Sequence, residues 1–395
     1  MALLIIAFAA VAAAMVTTTS GGRAPRTPDM ESRDPVRVHS TKPSEARLTV
    51  IQVTDVYTLA NFPSLKTLIA EKRLENPNTI SMLTGDFLAP YLLSSVDKGA
   101  GMMNAIAKTP IDYLTWGNHE ADIDHGQVCR HVQAFNGVWL NSNMQDHAAM
   151  EHQKAFDVVE VPSADGSQLR KVGLVAVLSD DPGLYAHFKA PGAFGGASIE
   201  CPWATLRKYK ALLEEEEGCD VVLPLQHTYV PDDHRTCREF DFPVVLSGHD
   251  HHRVDEIIEG TRLLKPGLDA ICATVLDLSW PTAESSSPEV TATFVRCAEW
   301  AADASLAEET RYAYDVLLPL RNTELARVPE AFQPLTSFGS RGAVCSMGSF
   351  ICSLLRSSLN TQRRQRGFSI DAVLLMGGNI RGGTEYPQDC FFSLE

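Results

Sequence analysis

The chain has no Cys-x-x-Cys pair, and its nine cysteines, scattered from Cys129 to Cys390, keep no regular spacing. That excludes a zinc framework built on paired thiolates and gives no sign of a disulfide scaffold. Basic excess is missing too: 34 Lys and Arg stand against 49 Asp and Glu, a formal net charge of -15. A nucleic-acid polymer held on a broad basic surface is therefore not an expected partner, although bound divalent cations would reverse the sign locally at a small anionic site. No internal repeat is present. The apolar stretch Ala2 to Val16 is too short to cross a bilayer comfortably.

That stretch, followed by Thr17-Thr18-Thr19-Ser20-Gly21-Gly22, suits the apolar region and small-residue exit of a signal peptide. Residues 1–22 are therefore expected to be a leader, and the product to be secreted or in the secretory pathway. No Lys or Arg precedes the apolar run, which leaves open an uncleaved leader, the one route to membrane association expected, and a cytoplasmic location. Residues 23–46, rich in Pro, Arg, Ser and Thr without periodicity, read as a disordered connector.

With 395 residues the chain exceeds a single typical core, so two domains are expected. From Arg47, apolar strands alternate with amphipathic stretches at Phe62 to Leu74, Gly101 to Lys108, His125 to Phe135 and Trp203 to Glu217. The alternation predicts an α/β layered domain over 47–300. Phe156 to Val161 and Leu169 to Leu178, joined through Ala164-Asp165-Gly166-Ser167, predict a β-hairpin. Strand-like segments at Val254 to Leu264, Ile271 to Trp280 and Val290 to Cys297 predict an antiparallel close to the domain.

Five short segments then place metal-binding or proton-transferring side chains after apolar runs: Asp55-Val56-Tyr57, Gly85-Asp86, Gly117-Asn118-His119-Glu120, Gln226-His227 and Gly248-His249-Asp250-His251. Each run reads as a buried strand, which is expected to bring all five to one edge of a sheet. Such convergence builds a two-metal hydrolytic site, because no single helix or loop offers enough hard and borderline ligands to two adjacent cations. A carboxylate can bridge two divalent ions about 3.5 to 4 Å apart, and a hydroxide held between them is a nucleophile at neutral pH. Any one of these segments alone is uninformative; a lone strand-end histidine is more often structural than a ligand.

In this order they resemble the calcineurin-like metallophosphoesterases, and among them most closely the 5'-nucleotidase family. The narrower resemblance rests on His119-Glu120-Ala121-Asp122 and on Gly377-Gly378-Asn379-Ile380-Arg381-Gly382. It implies a layered β-sandwich flanked by helices, a linker over 301–325 and a partial second α/β domain over 326–395. In that domain Cys345-Ser346-Met347-Gly348-Ser349-Phe350 would open a helix, Val373 to Gly378 would form a strand, and Arg381 and Asn379 would meet substrate. It implies two divalent metal ions such as zinc or manganese. Asp86 would bridge them, Asp55 and His251 completing one site and Asn118, His227 and His249 the other. His119 would serve the leaving oxygen, oriented by Asp122; a plainer role for Asp122 is the N-cap of the following helix.

The implied activity is a 5'-nucleotidase-like phosphomonoesterase on a small phosphorylated substrate, a nucleotide in first place. Alternatives are a cyclic-nucleotide phosphodiesterase, a nucleotide-sugar diphosphatase and, from another class, a non-catalytic scaffold of the same fold. One position departs from the family: Tyr57 stands where it shows histidine. The first expectation is that Tyr57 turns away and leaves water in its place. The others are a phenolate bound to Fe(III), and loss of one metal with most activity.

Overall fold

A computed structural model describes residues 42–321, 326–363, 369–380, 383–388 and 391–392. The expected leader, most of the connector and Arg381 lie outside the described residues. The described residues divide into two compact units with the boundary between Ala313 and Tyr314.

The first unit is a sandwich of two six-stranded sheets. Its strands are β1 (Ala46–Val53), β2 (Thr79–Thr84), β3 (Tyr113–Thr115), β4 (Val138–Leu140), β5 (Phe156–Pro162), β6 (Leu169–Leu178), β7 (Val221–His227), β8 (Val244–Ser247), β9 (Arg253–Ile258), β10 (Thr261–Pro266), β11 (Cys272–Trp280) and β12 (Glu289–Arg296). One sheet runs in the order β12-β11-β1-β2-β3-β4, the other β5-β6-β7-β8-β10-β9. The four strands β1 to β4 are parallel, as are β6, β7, β8 and β10, while β11, β12, β5 and β9 are antiparallel additions.

Alternation along the strands fills the space between the sheets. Leu48 and Val50 of β1 and Leu276, Leu278 and Trp280 of β11 meet Leu174 of β6, Leu223 and Leu225 of β7 and Val244 and Leu246 of β8. Each such buried aliphatic side chain contributes about 1.5–3 kcal/mol, so this interior, rather than the polar end of the sandwich, carries the fold. The opposite face of β6 packs Val175 and Val177 under Leu206, Tyr209 and Leu213 of the helix Pro202–Glu215. The other expected helices form at Phe62–Glu75, Ala100–Lys108 and His125–Ala134.

Three expectations are corrected. Val254 to Leu264 is a hairpin of β9 and β10, because Glu259 (φ 50°) and Gly260 (φ 94°) both take the left-handed backbone that a tight reversal needs. The stretch 301–325 is not simply a linker: it starts with the helix Ala304–Ala313, and Asp303 pairs with Lys66 at 3.1 Å and donates its N–H to Pro63 O. The five segments do not share one sheet edge: β1, β2 and β3 belong to one sheet, β7 and β8 to the other. Hydrophobic periodicity reveals a strand but not the sheet it joins.

In the second unit, the helix Ser346–Arg363 packs Met347 and Phe350 against Leu335, Ile380 and Tyr386. The strand expected at 373–378 is absent. Leu374 and Met376 are almost fully exposed, and among the described residues this unit has only a two-stranded sheet, Ala326–Arg327 with Phe391–Phe392. An apolar run becomes a strand only where a neighbour takes up its backbone N–H and C=O groups. All cysteines among the described residues are free, and no helix among them is long and apolar enough to cross a membrane.

Candidate metal centre

The carboxyl ends of β1, β2, β3, β7 and β8 meet at one end of the sandwich. Asp55 lies two residues past β1 and Asp86 two past β2, both in left-handed backbone (φ 53° and 55°) and both buried. These turns aim each carboxylate across the gap between sheets. His227 is the last residue of β7; its Nδ1 lies 2.9 Å from Thr84 O and donates to it, which directs Nε2 to Asp86 Oδ2 at 3.1 Å. His249 Nδ1 and Asn118 Oδ1 are 2.8 Å apart, and the His249 N–H donates to Asp55 Oδ2 at 2.8 Å. His251 Nε2 lies 3.2 Å from Asp55 Oδ1. Two overlapping donor sets result, Asp55 with Asp86 and His251, and Asp86 with His227 and His249, each compact enough to hold one metal ion.

Tyr57 does not turn away. Val56 is buried in the core and the Tyr57 N–H donates to Asp269 Oδ1 at 2.8 Å, which swings the phenol inward. Its Oη lies 3.1 Å from Asp86 Oδ2, 3.1 Å from His251 Nε2 and 3.4 Å from Asp55 Oδ1. Ligand atoms about 2.1 Å from a shared cation stand about 3.0 Å apart in an octahedron and about 3.4 Å apart in a tetrahedron. The observed separations match the edges of such a polyhedron, so these residues fit a cation. Neither Asp250 nor His252 belongs to the site: Asp250 is ion-paired to Lys265, and His252 is exposed with Nδ1 near Asp250 O.

Electrostatics agree with that fit. Burial would raise Asp55 and Asp86, but His227 above all outweighs it and holds both below the ordinary carboxylate range. Burial opposes charge on His227, yet Asp86 and Asp55 lift it to about 10. His227 and the two carboxylates thus favour one another's charged forms, the mutual attraction outweighing burial. Burial and His227 push His249 down to about 4, leaving its imidazole neutral and able to ligate.

His119 and Asp122 sit at the mouth on a single 3-10 turn, with Nδ1 and Oδ2 2.6 Å apart. The N-cap role suggested for Asp122 falls to Asp124, whose carboxylate accepts from Gln127 N. Glu120, quoted in the motif but given no role of its own, is the hidden anchor. Fully buried, it accepts the backbone N–H groups of Asp86 (2.9 Å), Phe87 (2.8 Å), Leu88 (3.0 Å) and Gly117 (2.7 Å). Burial and the Asp86 charge push its carboxyl up to about 7, and the N–H groups of Leu88, Phe87 and Asp86 pull the other way. Asn379 is exposed in the second unit, in the turn Gly377–Asn379.

Gly117 lets the two loops touch. A Cβ there would lie 2.2 Å from Asp86 Oδ1 and 2.3 Å from Asp86 N. Gly117→Ala is therefore expected to retain the fold, whose core lies elsewhere, while weakening divalent-cation binding about tenfold through misplacement of Asp86. Circular dichroism and Mn²⁺ calorimetry check this; wild-type affinity in the variant would contradict it.

The chain belongs to the calcineurin-like phosphoesterase family, whose model matches residues 48–253, just over half of its length. Membership supports a hydrolase, and the divalent metals that the family uses have candidate Asp and His donor groups in this chain. No curated protein sequence matches it significantly. Among solved structures it is similar to a 5'-nucleotidase precursor from Thermus thermophilus, with 14% identity, TM-score 0.65, and 81% of this chain and 68% of that one covered. It is also similar to a putative 5'-nucleotidase from Staphylococcus aureus (15%, TM-score 0.60, coverage 79% and 66%) and to the calcineurin-like phosphoesterase YfkN from Bacillus subtilis (15%, TM-score 0.58, coverage 70% and 98%). The chain thus spans about two thirds of the length of these two nucleotidases. At such identity the likeness establishes the fold.

Proposed function

We propose that the chain is a dinuclear metal phosphohydrolase that cleaves phosphomonoesters, with nucleoside monophosphates as the preferred class. The observation that carries this reading is the sharing of Asp86 by both donor sets, with the His119–Asp122 pair beside them. Asp55, Asp86, His251 and Tyr57 would hold one cation, and Asp86, Asn118, His227 and His249 the other. Bound cations supply Lewis acidity and an activated water-derived nucleophile at neutral pH.

The protein's own groups do the rest. The Asp122 carboxylate takes the Nδ1–H of His119, so the proton in play is the one on Nε2, delivered to the leaving oxygen as its bond to phosphorus breaks. Glu120 fixes the loops on which Asp86 and Asn118 ride. The nucleotide preference draws support from the solved neighbours. Hydrolysis rates for nucleoside monophosphates, p-nitrophenyl phosphate, cyclic nucleotides and nucleotide sugars test it; faster turnover of a diester or a nucleotide sugar would overturn it.

Tyr57 gives the first cation a third oxygen donor beside one imidazole, a hard set that suits Mn²⁺ and, once the phenol ionises, Fe³⁺. Tyr57→Phe is expected to weaken that cation's binding about tenfold and to bleach any visible charge-transfer absorption of protein loaded with ferric iron. Identical affinity and identical absorption in the variant would return Tyr57 to a packing role.

A further inference from the structure

Behind the metal centre lies a buried cation that the sequence motifs do not include. Lys265, on β10, is 1% exposed. Its Nζ donates to Thr228 O and to Gly248 O, each at 2.8 Å, and pairs with Asp233 Oδ2 at 2.6 Å and with Asp250 Oδ2. Thr228 follows His227, Gly248 precedes His249, and Asp250 separates His249 from His251. One ammonium therefore grips the backbone beside all three histidines.

The loop it grips needs holding. His249 (φ 84°) and His251 (φ 63°) both occupy left-handed backbone, which side chains other than glycine adopt rarely and which persists only where surroundings enforce it. Asp250, between them, accepts from Lys265 and from the Val230 N–H at 3.1 Å. Asp233 completes the network: its Oδ1 accepts from Gln226 Nε2 (2.8 Å), Thr228 Oγ1 (2.6 Å) and Ser247 Oγ (2.8 Å). Every partner of this ion cluster thus belongs to the ends of β7 and β8 or to the helix Val230–Glu239 that follows. An aliphatic side chain of the same length would fill the space and direct none of these groups, because dispersion contacts lack direction while ammonium hydrogen bonds have it.

We infer that Lys265 is a positioning residue that, through Asp250 and the Gly248 and Thr228 carbonyls, locks His227, His249 and His251 into metal-ligating register. This rests on the proposed metal-centre reading only for its metal-binding consequence; the locking itself is a property of the metal-free protein.

The test uses Lys265→Met and, because that variant strands the buried Asp233 carboxylate and is at risk of not folding, Asp250→Ala, which leaves the Lys265–Asp233 pair intact. Amide hydrogen exchange of the metal-free full chain is expected to rise at least tenfold over residues 227–229 and 248–251 in Asp250→Ala, with β11 and β12 unchanged. Mn²⁺ affinity by calorimetry is expected to fall at least tenfold in the same variant at an unchanged melting temperature. Unchanged exchange in folded Asp250→Ala would overturn the inference whatever the metal data show. Absence of Mn²⁺ binding by the wild type, with exchange raised in the variant, would sink the metal reading and keep the lock. Raised exchange with wild-type Mn²⁺ affinity would overturn the assignment to ligand positioning.

Discussion

Asp86→Ala is expected to remove both cations together and to lower hydrolysis by roughly three orders of magnitude or more, since a metal centre supplies several kcal/mol of transition-state stabilisation. The expectation follows from placement. Asp86 Oδ2 lies 3.1 Å from both His227 Nε2 and Tyr57 Oη, and Asp86 is the one member common to the two donor sets at this end of the sandwich. Asn118→Ala, by contrast, removes a neighbour of His249 alone and should weaken mainly one cation. Folding should survive the Asp86 change, because the sandwich interior is apolar and separate from the site. Equilibrium dialysis with Mn²⁺ on both variants distinguishes the cases; near-normal turnover with both cations bound to the Asp86 variant would refute the shared-ligand assignment.

His119→Asn is expected to keep both cations and the fold while kcat falls by about two to four orders of magnitude, the usual contribution of a positioned general acid. The His119 imidazole is tied to Asp122 and stands edge-on to Tyr57, ring centroids 6.4 Å apart, while its backbone N–H, which Asn retains, donates to Asp86 Oδ1 at 2.8 Å. A leaving group that departs without a proton should lose less. The rate ratio between p-nitrophenyl phosphate and an alkyl phosphate is therefore expected to rise in the variant. An equal loss for both would assign His119 to electrostatic stabilisation of the phosphoryl group instead.

Much of this was legible in the sequence, for a physical reason. Strands such as Leu48 to Val53 and Val221 to Leu225 are apolar because they are buried on both faces, and the polar residues that follow them stand out sharply. The hairpin of β5 and β6 was equally plain, since Asp165 and Gly166 supply its turn. Less accessible was anything decided by side-chain direction. Nothing in Asp-Val-Tyr says whether the phenol faces the carboxylates; that depends on Asp269, more than two hundred residues away, holding the Tyr57 backbone. Lys265 lies inside a short strand and resembles any surface lysine until its four partners converge on it. Glu120 was visible in its motif, but four backbone N–H groups from two loops give no sequence signal. The apolar run at 373–376 failed as a strand because pairing is a property of neighbours.

The most direct test of the account is a metal titration of the chelated protein with hydrolysis of a nucleoside monophosphate followed in parallel. The expected result is no hydrolysis without metal, two distinguishable Mn²⁺ or Zn²⁺ binding steps, and activity that returns only as the second fills. Full hydrolysis by the metal-free protein, or saturation of activity by a single equivalent, would contradict it.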